Sequence, residues 1–311
     1  VRETSYHVRE VYRGPIAIVG PTASGKTRLA LDLMELLPHY EAVSVDSMTI
    51  YKEFSVGTAK PTETELAGHP YHLISVVSVV EEFSLAEFIT LVQKMKEEIE
   101  RRFKTALYVG GTSLYLRAVV DGLTPQPTYS GLRLWLETVS LHLGQGVLYQ
   151  ILKTVDPKAA SKILSTNDRR VIRALEVSLG SGMHKSIYGE VFSNPDGAGG
   201  VLQFGVKVSR EVLYKRIEER IHLQLEQGWI DEVAAVIESD KVISRTAAQA
   251  IGYKELAAYL RGELDYDEAV ELTVRRTKNL AKRQLAWLRR DSRILWIETL
   301  DEVLERLDGT Q

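Results

Sequence analysis

The sequence contains no cysteine. That absence excludes a disulfide framework, a zinc–thiolate centre and a cysteine nucleophile together, and it suits a reducing compartment. Long apolar runs are missing too. Nothing reaches the roughly 18 residues that a membrane helix needs. Residues 1–12 alternate charged and β-branched types without a signal-peptide core. The expectation is a cytoplasmic protein with no membrane partner. A strong excess of one charge is also absent: 39 Lys+Arg against 42 Asp+Glu give a formal net charge of −3. No global field draws a polyanion, so any polyanion site must come from local clustering. His72 and His184 lack metal-ligand spacing and read as structural.

What is present suits a globular chain. With 44% hydrophobic and 26% charged residues over 311 positions, a sizeable core can be buried. Pro15–Gly20, Ala42–Val45 and Ala106–Gly111 are short apolar runs that read as buried strands, the first and last ending in glycine. Helical patterns follow Thr27 and Ser84, the second opening with a capping box, Ser84 to Glu87. Its apolar face is predicted to include Leu85, Phe88, Ile89, Val92, Ile99 and Phe103. Strands alternating with helices predict an α/β parallel sheet with ligands at the strand carboxyl ends. Between Asp121 and about Gly200 strand signals vanish. Helical stretches lie near 132–143 and 168–179, and a turn-rich segment, 193–200, closes the region. This predicts an α/β core from 1–120 and 201–311, with helices dominating its C-terminal part, and a helical insertion at 121–200. Leu202–Val208 and Ile294–Ile297 read as later strands.

Gly20-Pro21-Thr22-Ala23-Ser24-Gly25-Lys26-Thr27 fits GxxxxGK[ST] between a predicted strand and a predicted helix. Glycines let backbone N–H groups turn onto phosphate oxygens, and the helix amino end adds partial positive charge. Lys26 supplies a point charge and the Thr27 hydroxyl a ligand for Mg2+. The motif predicts a diphosphate or triphosphate ligand without saying which. Nucleotide hydrolases also need an acid at a strand end to hold magnesium. The strand ending at Val109 runs instead into Gly110-Gly111-Thr112. The acid available near the loop is Asp46, which could cap the next turn or take a proton from an acceptor.

Gly20–Thr27, Asp46-Ser47 leading to Tyr51, Gly57-Thr58-Ala59-Lys60-Pro61 and Gly110–Leu116 together resemble the tRNA dimethylallyltransferase (tRNA isopentenyltransferase) family. The resemblance continues through Asn167–Arg170, Arg173–Val177, Gln249–Leu256, and Ala281–Gln284 with Trp287 and Arg289, in family order along nearly the whole chain. It implies a P-loop NTPase-like, kinase-like core plus a helical insertion domain gripping tRNA. The loop Gly20–Thr27 would hold dimethylallyl diphosphate, with Mg2+ at Thr27. The prenyl group would go to the exocyclic amine of the adenosine 3′ of the anticodon, so the tRNA anticodon arm is the expected partner of a monomer. The resemblance implies catalytic roles for Asp46, Thr22, Thr112 and Arg220, with Asp46 as general base and Arg220 on the diphosphate. It implies tRNA contacts at Asp46, Ser47, Met48, Thr49, Arg169, Arg170, Arg173, Lys282, Arg283, Gln284, Trp287 and Arg289. Thr49 and Ser75 depart from the family pattern, which usually carries glutamine and aspartate there.

Arg275, Arg276, Lys278, Lys282, Arg283, Arg289, Arg290 and Arg293 crowd one segment, and Arg275, Lys278, Lys282, Arg289 and Arg293 recur at helical spacing. Such a stripe suits a phosphate backbone or a plain solvated face. Tyr51, Tyr115, Tyr253 and Trp287 could stack on a flipped base or belong to core and rim. Three other readings stay open: a small-molecule kinase, an adenylate isopentenyltransferase acting on free nucleotide, and an RNA-binding protein with a dead phosphate loop.

Overall fold

Ile16-Ala17-Ile18-Val19 is buried along its whole length, as a strand covered on both faces must be. This is β1. The computed structural model describes residues 12–123, 125–184, 200–239 and 242–308. Beside β1 lie β2 (Tyr40–Val45), β3 (Tyr71–His72), β4 (Thr105–Gly110), β5 (Leu202–Val206) and β6 (Ile294–Ile297). The six form one sheet in the order β3-β2-β4-β1-β5-β6 with parallel pairing throughout. The short edge strand β3 has no sequence signature, because two residues carry no periodicity.

Register places the chemistry. Val19 and Val45 both pair with Gly110. The residues that follow, Gly20, Asp46 and Gly111, therefore leave the sheet at one level on its carboxyl edge. α1 (Lys26–Leu36) follows the loop after β1 and packs Leu33 and Met34 on Ile16, Ile18, Leu107 and Phe204. α13 (Leu300–Asp308) adds Val303 and Leu307 to the same core.

A four-residue helix, α2 (Glu63–Leu66), and then α3 (Leu85–Arg101) follow. α3 opens on the expected capping box and buries Phe88, Ile89, Val92 and Ile99. Phe103 departs from the predicted face. The helix ends at Arg101, Phe103 has φ 58°, and its ring is 95% exposed. Once the helix stops, helical spacing no longer assigns a face.

Within β2 Glu41 is buried, accepting from Arg102 at 2.6 and 3.1 Å and paired with His72 at 2.7 Å. His72 is thus structural. Burial pushes the Glu41 carboxyl upward, but hydrogen bonds and charge from Arg102 and His72 outweigh it and hold its pKa below the ordinary carboxylate value. A depressed folded pKa contributes stability that is full above the unfolded pKa of about 4.3 and is lost as pH falls through the folded one. Arg102→Ala is therefore expected to lower the urea midpoint at pH 7. Its deficit against wild type should shrink as pH falls below about 4. A deficit constant from pH 7 to 3 would contradict the ion pair.

By internal packing the chain divides into two units, Val1–Val120 with Gly199–Gln311, and Asp121–Ala198. Ser113–Asp121, α4, reaches the division. The second unit holds α5 (Ser130–Leu143), α6 (Gln145–Val155), α7 (Pro157–Ala160) and α8 (Asp168–Ser181), and no strand among its described residues. Leu136, Leu148, Leu152, Val171, Ile172 and Leu175 form its own core. Of the predicted turn at 193–200, all but Gly200 lies outside the described residues. The first unit resumes with α9 (Arg210–Glu226), α10 (Trp229–Glu238), α11 (Tyr253–Leu260) and α12 (Tyr266–Leu288), ahead of β6 and α13. No helix among the described residues is long and apolar enough to cross a membrane.

Candidate active site

The phosphate loop runs from β1 into α1, with Gly25 at φ 93° as the cap residue, a conformation L side chains rarely adopt. The hydroxyl of Thr22 accepts from Arg220 of α9 at 2.6 Å, and the Thr22 N–H donates to Gln284 of α12 at 2.9 Å. Around the loop, Ser24 Oγ and Arg220 Nε are buried without a hydrogen-bond partner among the described residues. Buried donors of this kind require an acceptor. A diphosphate oxygen matches both.

Charge concentrates here. Burial, foremost, and the charge of Arg220 lower the Lys26 pKa to about 8 against the opposing charge of Asp46. Burial also lowers the pKa of Arg220, again opposed by Asp46, though a guanidinium stays charged. Two desolvated cations beside one carboxylate leave a net positive pocket suited to a polyanion. Lys26 Nζ meanwhile donates to the Pro21 carbonyl at 3.3 Å.

Asp46 fulfils the capping reading with one oxygen. Its Oδ1 accepts the Met48 N–H at 2.8 Å and the Thr49 N–H at 3.4 Å. No donor among the described residues is bonded to Oδ2, which can receive a proton. Thr112 ties the neighbouring turns together: its Oγ1 accepts the Ser47 N–H at 3.2 Å and its N–H donates to the Val45 carbonyl at 3.3 Å. Thr49 turns its hydroxyl back to Ser44 at 3.0 Å, and its carbonyl accepts the Ser75 N–H at 3.0 Å. The two departures from the family pattern thus touch each other. Tyr71 of β3, which the sequence does not single out, lies beside Thr27; burial, foremost, and Asp46 raise its pKa against a smaller opposing influence of Thr27.

At the end of β4 a side chain is sterically excluded. A Cβ at Gly110 would meet the Val45 carbonyl at 2.1 Å, and one at Gly111 the Gly20 carbonyl at 2.4 Å. No acidic side chain can stand there to hold a nucleotide's magnesium.

The blocks around Gly57 and Gly252 meet one another. Glu232 of α10 accepts the N–H groups of Ser55, Val56 and Gly57 at 2.8, 2.8 and 3.2 Å, and the Tyr253 hydroxyl at 2.5 Å. Trp229 packs so tightly that a Cβ at Gly57 or Gly252 would lie within about 2 Å of its ring. These blocks build a scaffold. Sequence alone does not single out Glu232, because an acid in a helix's first turn has a ready bland explanation.

Aromatic and basic residues separate by environment. Tyr51, Tyr115 and Tyr253 are buried, Tyr115 stacked on Phe88 at 3.9 Å, so all three belong to the core; Trp287 is half-buried. The basic stripe is shorter than its spacing suggests, because α12 ends at Leu288 and Arg293 lies beyond it, bonded to Asp291 at 2.6 Å. Arg276 pairs with Glu255, and Lys278 with Glu218. No side-chain ion pair or hydrogen bond among the described residues engages Lys282, Arg283 or Arg289. At about 100° per residue, Lys282 and Arg289 share one side of α12. Arg283 and Trp287 lie about a third of a turn further round, and Gln284 faces inward to Thr22. In the second unit Arg169 and Arg170 are exposed on the first turn of α8. Arg173 instead binds the buried Glu176 at 2.8 Å and the carbonyls of Gln126 and Pro127 at 3.0 and 3.2 Å.

Comparison with known proteins agrees. The family model described as IPP transferase matches residues 49–291. The tRNA dimethylallyltransferase of Carboxydothermus hydrogenoformans is 39% identical over 297 residues, covering 94% of each chain. The crystal structure of the tRNA isopentenylpyrophosphate transferase of Bacillus halodurans superposes with a TM-score of 0.69 at 34% identity, covering 96% of this chain and 95% of that one. A eukaryotic dimethylallyltransferase described as acting on tRNA gives a TM-score of 0.74 at 26% identity, covering 93% and 75%. With a phosphate loop whose neighbouring strand cannot carry an acid, and with these likenesses along almost its entire length, the chain belongs to the tRNA dimethylallyltransferase (IPP transferase) family.

Proposed function

We infer that this protein transfers a dimethylallyl group from dimethylallyl diphosphate to the N6 amine of the adenosine 3′ of the anticodon in tRNA. The observation that carries this reading is the opposition, on one sheet edge, of a cationic phosphate pocket and a carboxylate with one unengaged oxygen. The bond from N6 to the prenyl carbon forms as the carbon–oxygen bond to diphosphate breaks; diphosphate leaves with the electron pair and N6 loses a proton to Asp46. Lys26, Arg220 and the loop amides stabilise charge building on the leaving group, a preorganised electrostatic role. An adenine amine is a weak nucleophile because its lone pair is delocalised, so a base at Asp46 matters.

A magnesium ion fits as a companion of the diphosphate. Among the described residues no group of three or more acidic, histidine or cysteine side chains could cage one, while Thr27 offers a hard hydroxyl oxygen. Magnesium commonly takes few protein ligands, keeps waters and is completed by phosphates; bound there through Thr27 it would supply further neutralisation of the leaving group.

Lys282 and Arg289, sharing one face without anionic partners, suit the RNA backbone, with Arg283 and Trp287 on an adjoining face. Arg169 and Arg170 suit a further phosphate contact from the helical unit. Lys282→Ala or Arg289→Ala is expected to weaken tRNA binding and reduce its salt slope by about one per lost contact, with donor binding unchanged. Intact affinity and salt dependence in both variants would make the stripe a solvated face. The functional reading itself is tested by competition for the phosphate loop. Dimethylallyl diphosphate with magnesium should displace a fluorescent diphosphate probe well below the ATP concentration needed. Stronger displacement by ATP, with tRNA-independent hydrolysis, would favour the kinase.

A further inference from the structure

Gln284 has a position that an RNA contact does not explain. Its Oε1 accepts the Thr22 N–H at 2.9 Å, and its Nε2 donates to the Gly111 carbonyl at 3.0 Å. One carboxamide thus joins the phosphate loop to the turn after β4, across 262 residues of sequence to the first and 173 to the second. The bridge is tightly packed. A Cβ at Gly111 would come within 2.4 Å of the Gly20 carbonyl and 2.8 Å of Gln284 Nε2. Arg220 holds the Thr22 hydroxyl at 2.6 Å, so α12 fixes the backbone of Thr22 while α9 fixes its side chain. The turn on the far side of the bridge leads into Thr112, whose Oγ1 receives the Ser47 N–H next to Asp46.

We propose that Gln284 is a positioning residue for the transfer: its carboxamide sets the spacing between the donor loop at Thr22 and the Gly111-Thr112 turn that supports Asp46. This rests on the transfer reading above. Gln284 touches no reacting atom; it acts through Thr22 and Gly111. Both ends of the amide are used, one as acceptor and one as donor, and this polarity makes the assignment testable.

A glutamate at this position keeps an acceptor for the Thr22 N–H but sets a carboxylate oxygen against the Gly111 carbonyl. Protonation gives the donor back. Gln284→Ala and Gln284→Met should lower the single-turnover rate about 10- to 50-fold, the order of two lost hydrogen bonds. KM for dimethylallyl diphosphate and tRNA affinity should each stay within about threefold, because the lost bonds contact neither ligand. The rate of Gln284→Glu relative to wild type should climb as pH falls from about 8 to about 5.5, while the relative rates of the alanine and methionine variants stay flat. Amide hydrogen exchange at Thr22 should be slow in wild type and in Gln284→Glu at low pH, and fast in Gln284→Ala. A loss residing in tRNA affinity, or a glutamate variant without pH recovery, would overturn the assignment. So would unchanged Thr22 exchange in Gln284→Ala. A wild type that transfers nothing would contradict the functional reading instead, and the Thr22 exchange would still decide whether the bridge exists.

Discussion

Asp46→Asn is expected to lower the single-turnover transfer rate by roughly 10² to 10⁴, the range typical of a lost general base. The substitution is nearly isosteric. The asparagine would retain an acceptor oxygen for the Met48 and Thr49 N–H groups that Oδ1 now receives at 2.8 and 3.4 Å. The turn should therefore survive, and tRNA and donor affinities should change much less than the rate. What disappears is the second oxygen as a proton acceptor. The charge beside Lys26 and Arg220 disappears as well, which should make donor binding slightly tighter. Normal turnover at saturation with weakened tRNA binding would make Asp46 a capping and positioning residue.

Lys26→Ala should cost about 10² to 10³ in transfer rate, the range for removing one donor to a developing oxyanion. Because this ammonium also faces the ground-state diphosphate, donor affinity should fall by roughly ten- to a hundredfold, as for a hydrogen bond to a charged group. Its pKa near 8 in the free protein adds a signature. Lys26 is charged below that pH and neutral above it, and a bound polyanion raises its pKa. Diphosphate affinity should hence be flat between about 7 and 8 and fall above about 8, with proton uptake on binding. Lys26→Ala should lose that alkaline limb. Calorimetry in buffers of different ionisation enthalpy measures both quantities, and a wild-type affinity independent of pH up to 10 would contradict the depressed pKa.

Local features of the fold are legible in the sequence. Short apolar runs mark β1 and β4, the Ala42-Val43-Ser44-Val45 segment marks β2, and a glycine-rich loop between strand and helix marks the phosphate site. Their signals span fewer than ten residues each, so no tertiary information is needed. The limits of elements are harder. Leu288-Arg289-Arg290-Asp291 has neither glycine nor proline to announce the end of α12, so spacing alone puts Arg293 on a helical face it does not share. Phe103 is misassigned in the same way. Roles that depend on distant partners are legible only as residue types. Gln284 is one more polar side chain in a basic segment, and its hydrogen bond to Thr22 comes into view only in the fold. Nothing in the sequence shows that Arg173 pairs with a buried Glu176. Tyr51, Tyr115 and Tyr253 could be stacking platforms on sequence grounds, and only burial assigns them to the core.

In the proposed function, one sheet edge joins a prenyl diphosphate to an adenine amine in RNA. Purified protein with magnesium, isotopically labelled dimethylallyl diphosphate and unmodified tRNA tests it most directly. The expected result is label bonded to N6 of the adenosine 3′ of the anticodon, one diphosphate released per label, and none of either without tRNA. Phosphate release from ATP without tRNA, or label transferred to free adenosine nucleotide but not to tRNA, would contradict it.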